Sequence, residues 1–453
     1  MINQSEIQAA RDCIRFALEN GADAVRAYLS KSGIDSCNIL NGELDKVTHS
    51  ADRSIYFYLY VDGKYGTYST NRFGEHELKS FILNGIAMTR MLGEDPCRKL
   101  PDHSRTATDA ITGRETGLYH ESIETCSSES RLGNAMQMSI YGRVKEEGYH
   151  IISEECEYSE SFDDSYTIDS QGFEGRHTES VFSCFTEITI QSEDGDKYSG
   201  YWWDSSCRDG VLKLEECSRI ALKKAVDQIG PRPRRSGTYR MVVDTSVSSR
   251  MVSPILNALN ASALQQKMSF MDGTLDEKVF PEEMTIMDLP RVFGKNGARL
   301  FDSEGVATVN APIIENGIVR QYFVNTYNSL KMGLAPTVED ASLPYLLPFM
   351  KGIRLAEKEK DVSLEDILHF CGNGIYVTGF NGGNCNPATG DFSFGIEGFA
   401  FSKGRITHPV REMLITGNIM ELWNGLIAAG SDMRQNVRWQ IGSLAFEKVS
   451  FSS

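Results

Sequence analysis

The chain has 453 residues, 41% hydrophobic and 10% aromatic, which is enough for two or three lobes with sizeable cores. Its 62 acidic against 46 basic residues give a formal net charge of −16, a surface that repels phosphate and argues against direct binding of nucleic acid or an anionic membrane. Ten cysteines without a CxxC pair read as free thiols of a reducing cytosol, and neither an apolar leader nor a run of membrane-spanning length is present, so the expected location is the cytoplasm.

Residues 5–19 place Ile7, Ala10, Ile14, Ala17 and Leu18 on one stripe, which predicts an amphipathic helix with Ser5 and Gln8 as a capping box and Gly21 as the stop. Strands are expected over 24–29 and 37–47, the second turning at Asn41-Gly42. A clear hairpin spans 54–70, where Asp62-Gly63 separates two aromatic-rich alternating runs. A second helix is expected over 75–92. The pattern of helix, hairpins and helix is α+β, and the proline- and charge-rich stretch 96–114 marks its end.

A helix near 128–143 then leads into a strand-rich part, 150–203, whose alternation predicts an antiparallel sheet with one solvated face. A helix over 214–228 precedes the main linker, 229–237, with two prolines and three arginines. Beyond it we expect a buried strand (239–244), a helix (246–266), a hairpin over 311–324 turning at Asn316-Gly317, and a helix (363–370) capped by Ser363. Strands near 392–401 and 405–416, a helix near 418–428 and a strand near 439–449 complete the chain. The expected organisation is an N-terminal α+β domain (1–110), a middle strand-rich region (111–230) and a larger, mostly antiparallel C-terminal α+β domain (231–453).

Chemistry concentrates in 379–401, GFNGGNCNPATGDFSFGIEGFAF. Its glycines permit positive φ, and Pro387 holds Asn386 out of the helical region, so a shaped loop is expected between two strands. From composition alone this is an ordinary strand–loop–strand turn. The longer block NPATGDFSFGIEGFAFSKGRITHPVREMLITGN (386–418), however, resembles the signature of the TldD/PmbA family, the "modulator of DNA gyrase" proteins. The order GADAV…NGELDKV…YVDGKYGTYST and the segment FDSEGVAT (301–308) are similar to the same family.

The resemblance implies a cytosolic, metallopeptidase-related protein. TldD-type members carry an HExxxH zinc motif on the helix after the first strand of their third segment, and a cysteine close to the C-terminus completes the ligand set. Here the corresponding helix reads SVSSRMVSPILNALNASALQQK (246–267), no histidine lies between His177 and His369, and no cysteine follows Cys385. Imidazole and thiolate are the ligands that hold zinc against water, so the expectation is no metal, no cofactor and no catalytic residue in this chain. The resemblance is therefore to the TldE/PmbA-type subunit, with zinc in a TldD-type partner. That implies a heteromeric peptidase acting on unfolded peptide, with Asn386, Thr389, Gly390 and Asp391 as candidate contacts to substrate or interface. The alternative is a stand-alone homo-oligomeric peptide-binding protein without proteolytic activity.

Other constellations are weaker. His369 and Cys371 near a helix end, with Cys385 in the glycine stretch, could form a nucleophile pair, although helix-end histidines and scattered cysteines are usually structural. The acidic runs EDGD (193–196) and SESFDDS (159–165) could hold a cation, but turns and solvated strands explain them more simply. The glycine-rich GFNGGN lacks the lysine of a phosphate cradle. Finally, the aromatics Tyr322, Phe323, Phe392, Phe394, Phe399 and Phe401 suggest an apolar face on the C-terminal lobe, through which the isolated protein would form a homodimer.

Overall fold

The computed structural model describes residues 1–352 and 361–453, an α+β protein that divides into two compact units. The first comprises 1–226 with 291–308 and 325–338; the second comprises 227–290, 309–324 and 339–453.

The first unit contains α1 (Gln4–Glu19), β1 (Ala24–Leu40), β2 (Glu43–Val61), β3 (Lys64–Thr70), α2 (Glu75–Thr89), α3 (Ser128–Met138), β4 (Tyr149–Asp169), β5 (Glu174–Ser192), β6 (Lys197–Ser206) and α4 (Leu214–Val226). The strands form one antiparallel sheet in the order β3-β2-β1-β4-β5-β6. Strands from 1–110 and from 111–230 thus share a sheet, joined where β1 pairs with β4 from Arg26↔Asp169 to Leu40↔Glu155. The separate strands expected over 24–29 and 37–47 are one element plus the start of the next. The intervening polar run Ser30–Ser36 lacks an apolar alternation, yet it is held on both sides by β2 and β4. Asn41 and Gly42 make the expected turn with φ of 51° and 82°, as do Asp62 and Gly63 with 51° and 71°.

Two separate cores lie on one face of this sheet. In β1 the odd-numbered residues point to it: Val25, Ala27 and Leu29 pack under α1 and α2, while Cys37 and Ile39 share a cluster with Ala135 and Met138 of α3 and Leu214 and Cys217 of α4. The N-cap of α1 is Asn3 rather than Ser5. Asn3 accepts from the Glu6 N–H at 3.0 Å and Glu6 returns a bond to the Asn3 N–H at 2.9 Å, because the helix starts one residue earlier than the apolar stripe suggests.

The second unit starts with β7 (Gly237–Val243), α5 (Ser249–Ala258) and α6 (Ala261–Gln265). The single helix expected over 246–266 is broken, with Pro254 inside α5 and Asn260 capping α6 at the Ser262 N–H. Next come β8 (Ile286–Asp288), β9 (Ala311–Glu315) and β10 (Ile318–Val319), then α7 (Thr326–Met332), which belongs to the first unit. After β11 (Pro344–Leu346) and β12 (Phe349–Met350) follow α8 (Leu364–Cys371), β13 (Gly374–Cys385), β14 (Asp391–Ser402), β15 (Arg405–Asn418), α9 (Ile419–Asn424), β16 (Leu426–Ala429) and β17 (Leu444–Ser452). The hairpin expected to reach 324 stops at Val319, and the short strands β10-β9-β8-β11 form a sheet of their own.

Of the remaining strands, five close on themselves, and β16, with β12 beyond it, attaches to β17 outside that ring. β7 runs parallel to β13; β13, β14, β15 and β17 pair antiparallel in turn; and β17 returns to pair with β7. A ring of hydrogen bonds removes the free edges that an open sheet would present. Two glycines make the β13–β14 approach possible: a Cβ on Gly398 would sit 2.0 Å from the Tyr376 carbonyl oxygen, and one on Gly395 2.4 Å from that of Asn381. Helix α8 packs Ile367, Leu368 and Cys371 over Val242, Tyr376, Phe401 and Ala445. Trp423 meets Phe446 edge-on at 5.5 Å and donates to the Met251 carbonyl. The aromatics expected to form an outer apolar face are largely covered within the chain: Tyr322, Phe323, Phe392, Phe394 and Phe401 are buried, and Phe399 is half-buried.

Candidate functional site

The shaped loop is shorter than the glycine stretch suggests. Residues 379–385 belong to β13, which continues through an irregularity between Asn381 and Asn384 where Gly382 and Gly383 take φ of 66° and 81°. Only 386–390 form the turn into β14. The Asn386 N–H donates to the Asp391 carbonyl at 2.8 Å, the Gly390 N–H donates to the Asn386 carbonyl at 2.8 Å, and the Asn386 side-chain oxygen accepts from the Ala388 N–H at 2.9 Å.

The structure brings the four candidate residues together. Asn386, Thr389 and Asp391 are exposed, and Gly390 is buried with φ of 78°. The Thr389 hydroxyl donates to Asp391 Oδ2 at 2.7 Å, and Asn418 Nδ2 reaches both Asp391 Oδ1 at 3.0 Å and the Thr389 carbonyl at 2.8 Å. These donors, Asn418 first and then Thr389, hold the Asp391 carboxyl below its usual range. Asn418 was the residue to add to the set. It closes the 386–418 block, and its own Oδ1 caps α9 by accepting from the Met420 N–H at 3.0 Å, so one side chain ties the turn to the next helix. Phe270 was not legible from local sequence. Its N–H donates to the Pro387 carbonyl at 3.0 Å, and its ring lies 3.2 Å from where a Gly390 Cβ would be.

The two stretches that depart from the zinc pattern, 246–267 and the cysteine-free C-terminal region AAGSDMRQNVRWQIGS (428–443), also converge. The Thr245 hydroxyl and the Ser248 hydroxyl, just before α5, donate to the Ile441 carbonyl at 2.9 Å and 3.1 Å. Helix α5 buries Met251, Val252, Ile255 and Leu256, so its inner face is hydrocarbon. Nearby, Ser443 donates from its N–H and hydroxyl to the two oxygens of Asp432, at 2.7 Å and 2.6 Å. Tyr376 donates its hydroxyl to Asp244, and burial, with Asp244 beside it, raises the phenol strongly. Among the described residues no three His, Cys, Asp or Glu side chains are grouped to hold a metal ion.

The nucleophile candidates are not brought together. Cys371 is buried in the α8 core, and burial pushes its thiol up to about 11. His369 is exposed, with Nδ1 at 2.9 Å from the Glu365 carbonyl of its own helix. Burial, with the Asp391 charge adding to it, raises Cys385 as well; a reactive thiol needs the opposite shift. The acidic runs are structural: 193–196 is the β5–β6 turn, while within β4 Glu160 pairs with Arg131 and Asp164 with Arg176.

Comparison with known proteins agrees with this architecture. A model of the PmbA/TldA metallopeptidase C-terminal domain matches residues 236–453, and one of the central domain matches 121–229. A crystal structure from Bacteroides thetaiotaomicron, described as a modulator of DNA gyrase, is 38% identical with a TM-score of 0.92, covering 100% of both chains. A metalloprotease PmbA homolog of Haemophilus influenzae is 25% identical over 99% of this chain and 97% of its own. TldE from Thermococcus kodakarensis, 18% identical, shares the fold with a TM-score of 0.79 over 98% of this chain and 100% of its own. With both of its later segments matched and a full-length relative at 38% identity, the chain belongs to the PmbA/TldD family.

Proposed function

We propose that this chain is the TldE/PmbA-type, non-zinc subunit of a two-component cytosolic metallopeptidase that trims or degrades unfolded peptides. A TldD-type paralogue supplies the zinc. The observation that carries this reading is the contact between the start of α5 and Ile441. At the two stretches where the resemblance places zinc ligands, this chain has hydroxyl groups bonded to a backbone carbonyl and a hydrocarbon helix face. Neutral hydroxyls and apolar side chains do not hold zinc against water.

In this reading the subunit encloses the substrate rather than cutting it. An extended peptide is bound mainly through its backbone, with little sequence preference. The exposed turn side chains Asn386, Thr389 and Asp391, on the rigid base set by Gly390 and Asn418, are the contacts to substrate or paralogue. In the absence of the paralogue the chain associates with itself. The test is co-purification: the chain, expressed with a tagged subunit carrying HExxxH, should be retained through a salt wash in fixed ratio. Failure to bind any such subunit from the same cell would leave the stand-alone binding protein as the better account.

A further inference from the structure

The sheet of the first unit ends in a step on its β3 side. Strand β3 pairs only with Ile55–Val61 of β2, whereas β2 pairs with β1 from Glu43 to Tyr60. Residues 43–54 therefore have β1 on one side and, among the described residues, no strand on the other. All are exposed except Thr48 and Ser54, which are half-buried. A row of unpaired N–H and C=O groups of this length is a template for another strand.

Such edges are usually blunted by proline, a bulge or charged side chains, lysine above all. The stretch from Lys46 to Ser54 has no proline and no glycine, and it pairs with β1 without a break. The one irregularity, where Asn38↔Lys46 gives way to Ile39↔Leu44, leaves Asp45 as the extra residue and bounds the regular edge at one end. Its charges are of both signs and, by the two-residue period, are sorted onto faces. Lys46, Thr48, Ser50 and Asp52 point to the face opposite the helices, while Val47, His49, Ala51 and Arg53 point to the helix-bearing face.

This pattern is self-complementary in one antiparallel register. With His49 on a two-fold axis, Lys46 of each copy stands opposite Asp52 of the other, Thr48 opposite Ser50, and Val47 opposite Ala51. Each pair falls on a single face, so the sheets continue into one another. Shifting the register by two residues either way sets Lys46 against Ser50 or Ser54 and removes both ion pairs. Arg53 is already engaged at this end, with Glu6 at 3.2 Å and stacked over Phe73 at 4.3 Å, and takes no part.

We propose that Lys46–Asp52 is a self-pairing edge through which two copies of this chain join their six-stranded sheets into one of twelve strands. The proposal rests on the reading above that the isolated chain associates with itself, and it places that contact on the first unit. Seven residues of strand pairing form a small interface, at the transient end of the range, so the dimer exchanges with monomer as concentration falls.

Sedimentation of the full-length chain across micromolar concentrations tests both points. Wild type should show a concentration-dependent dimer. K46E, which sets a second carboxylate against Asp52 at both ends of the paired stretch, should raise the dissociation constant at least about fourfold, given the size of cross-strand charge pairs. The swap K46E/D52K should restore it to within about twofold. Mild oxidation of H49C should give a disulfide-linked dimer that the wild-type chain, with its ten native cysteines, does not give. A dimer indifferent to K46E and not cross-linked through H49C would overturn the edge assignment while leaving self-association intact. A monomer at every concentration would remove self-association itself. Amide protection of 46–52 that appears only on adding an HExxxH subunit would assign the edge to that subunit and overturn the proposal.

Discussion

At the scale of single residues, the 386–391 turn is held by a few hydrogen bonds whose loss can be measured. Asn418→Ala removes a helix cap and both bonds to the turn at once. It should cost about 0.5–2 kcal/mol in a urea melt. Gly390→Ala forces a side chain to φ of 78° against the Phe270 ring and should cost about 1–3 kcal/mol. Asp391 is exposed, so Asp391→Ala should shift the melting temperature little while impairing activity in the reconstituted complex; equal loss of both would make its role purely structural. Its carboxyl is held below the unfolded value of about 3.9, so its stabilising contribution is complete above that pH and is lost as pH falls through the lower folded value. Between about pH 4 and the onset of acid unfolding, wild type should therefore lose stability faster than Asp391→Asn, as read by melting at successive pH values.

At the scale of elements, what was legible followed from how local the cause was. The turns at Asn41-Gly42, Asp62-Gly63 and Asn316-Gly317, the cap Ser363 and the helix expected over 214–228 are each decided by a few adjacent residues, and the structure has them where they were expected, the helix ending at Val226. The polar middle of β1 was not legible, because it is made a strand by its neighbours β2 and β4 rather than by its own pattern. The glycine stretch 379–385 was misread for the same reason. Its glycines suggest a loop, but opposite β14 one of them, Gly383, marks close backbone approach, since a Cβ there would sit 2.0 Å from the Ser393 carbonyl oxygen. Two glycines separate these roles experimentally. Gly398→Ala places a Cβ 2.0 Å from the Tyr376 oxygen and should destabilise the closed sheet by about 1–3 kcal/mol. Gly133→Ala in α3, with nothing within 4 Å of the added Cβ, should instead stabilise by about 0.4–1 kcal/mol. Chemical denaturation of both variants decides whether glycine acts here through packing or through chain entropy.

At the scale of the whole molecule, the departure from the zinc pattern is written in residue types, while what stands in its place is set by the fold. Histidine and cysteine positions can be read directly, whereas the approach of Thr245 and Ser248 to Ile441 depends on the ring formed by β7 and β17. The aromatic residues of the C-terminal part gave the opposite lesson. The strand periodicity of Phe392, Phe394, Phe399 and Phe401 is real, but in a closed sheet both faces can be buried, and alternation alone does not tell a core from an interface. The central claim is that this chain is the metal-free partner in a zinc peptidase, and metal content read together with cleavage tests it most directly. The dialysed chain alone should hold no stoichiometric zinc and cleave no unfolded protein, and mixing with an HExxxH-bearing TldD-type subunit should bring chelator-sensitive cleavage. About one tightly held zinc per chain in the isolated protein, with cleavage in the absence of any partner, would contradict the account.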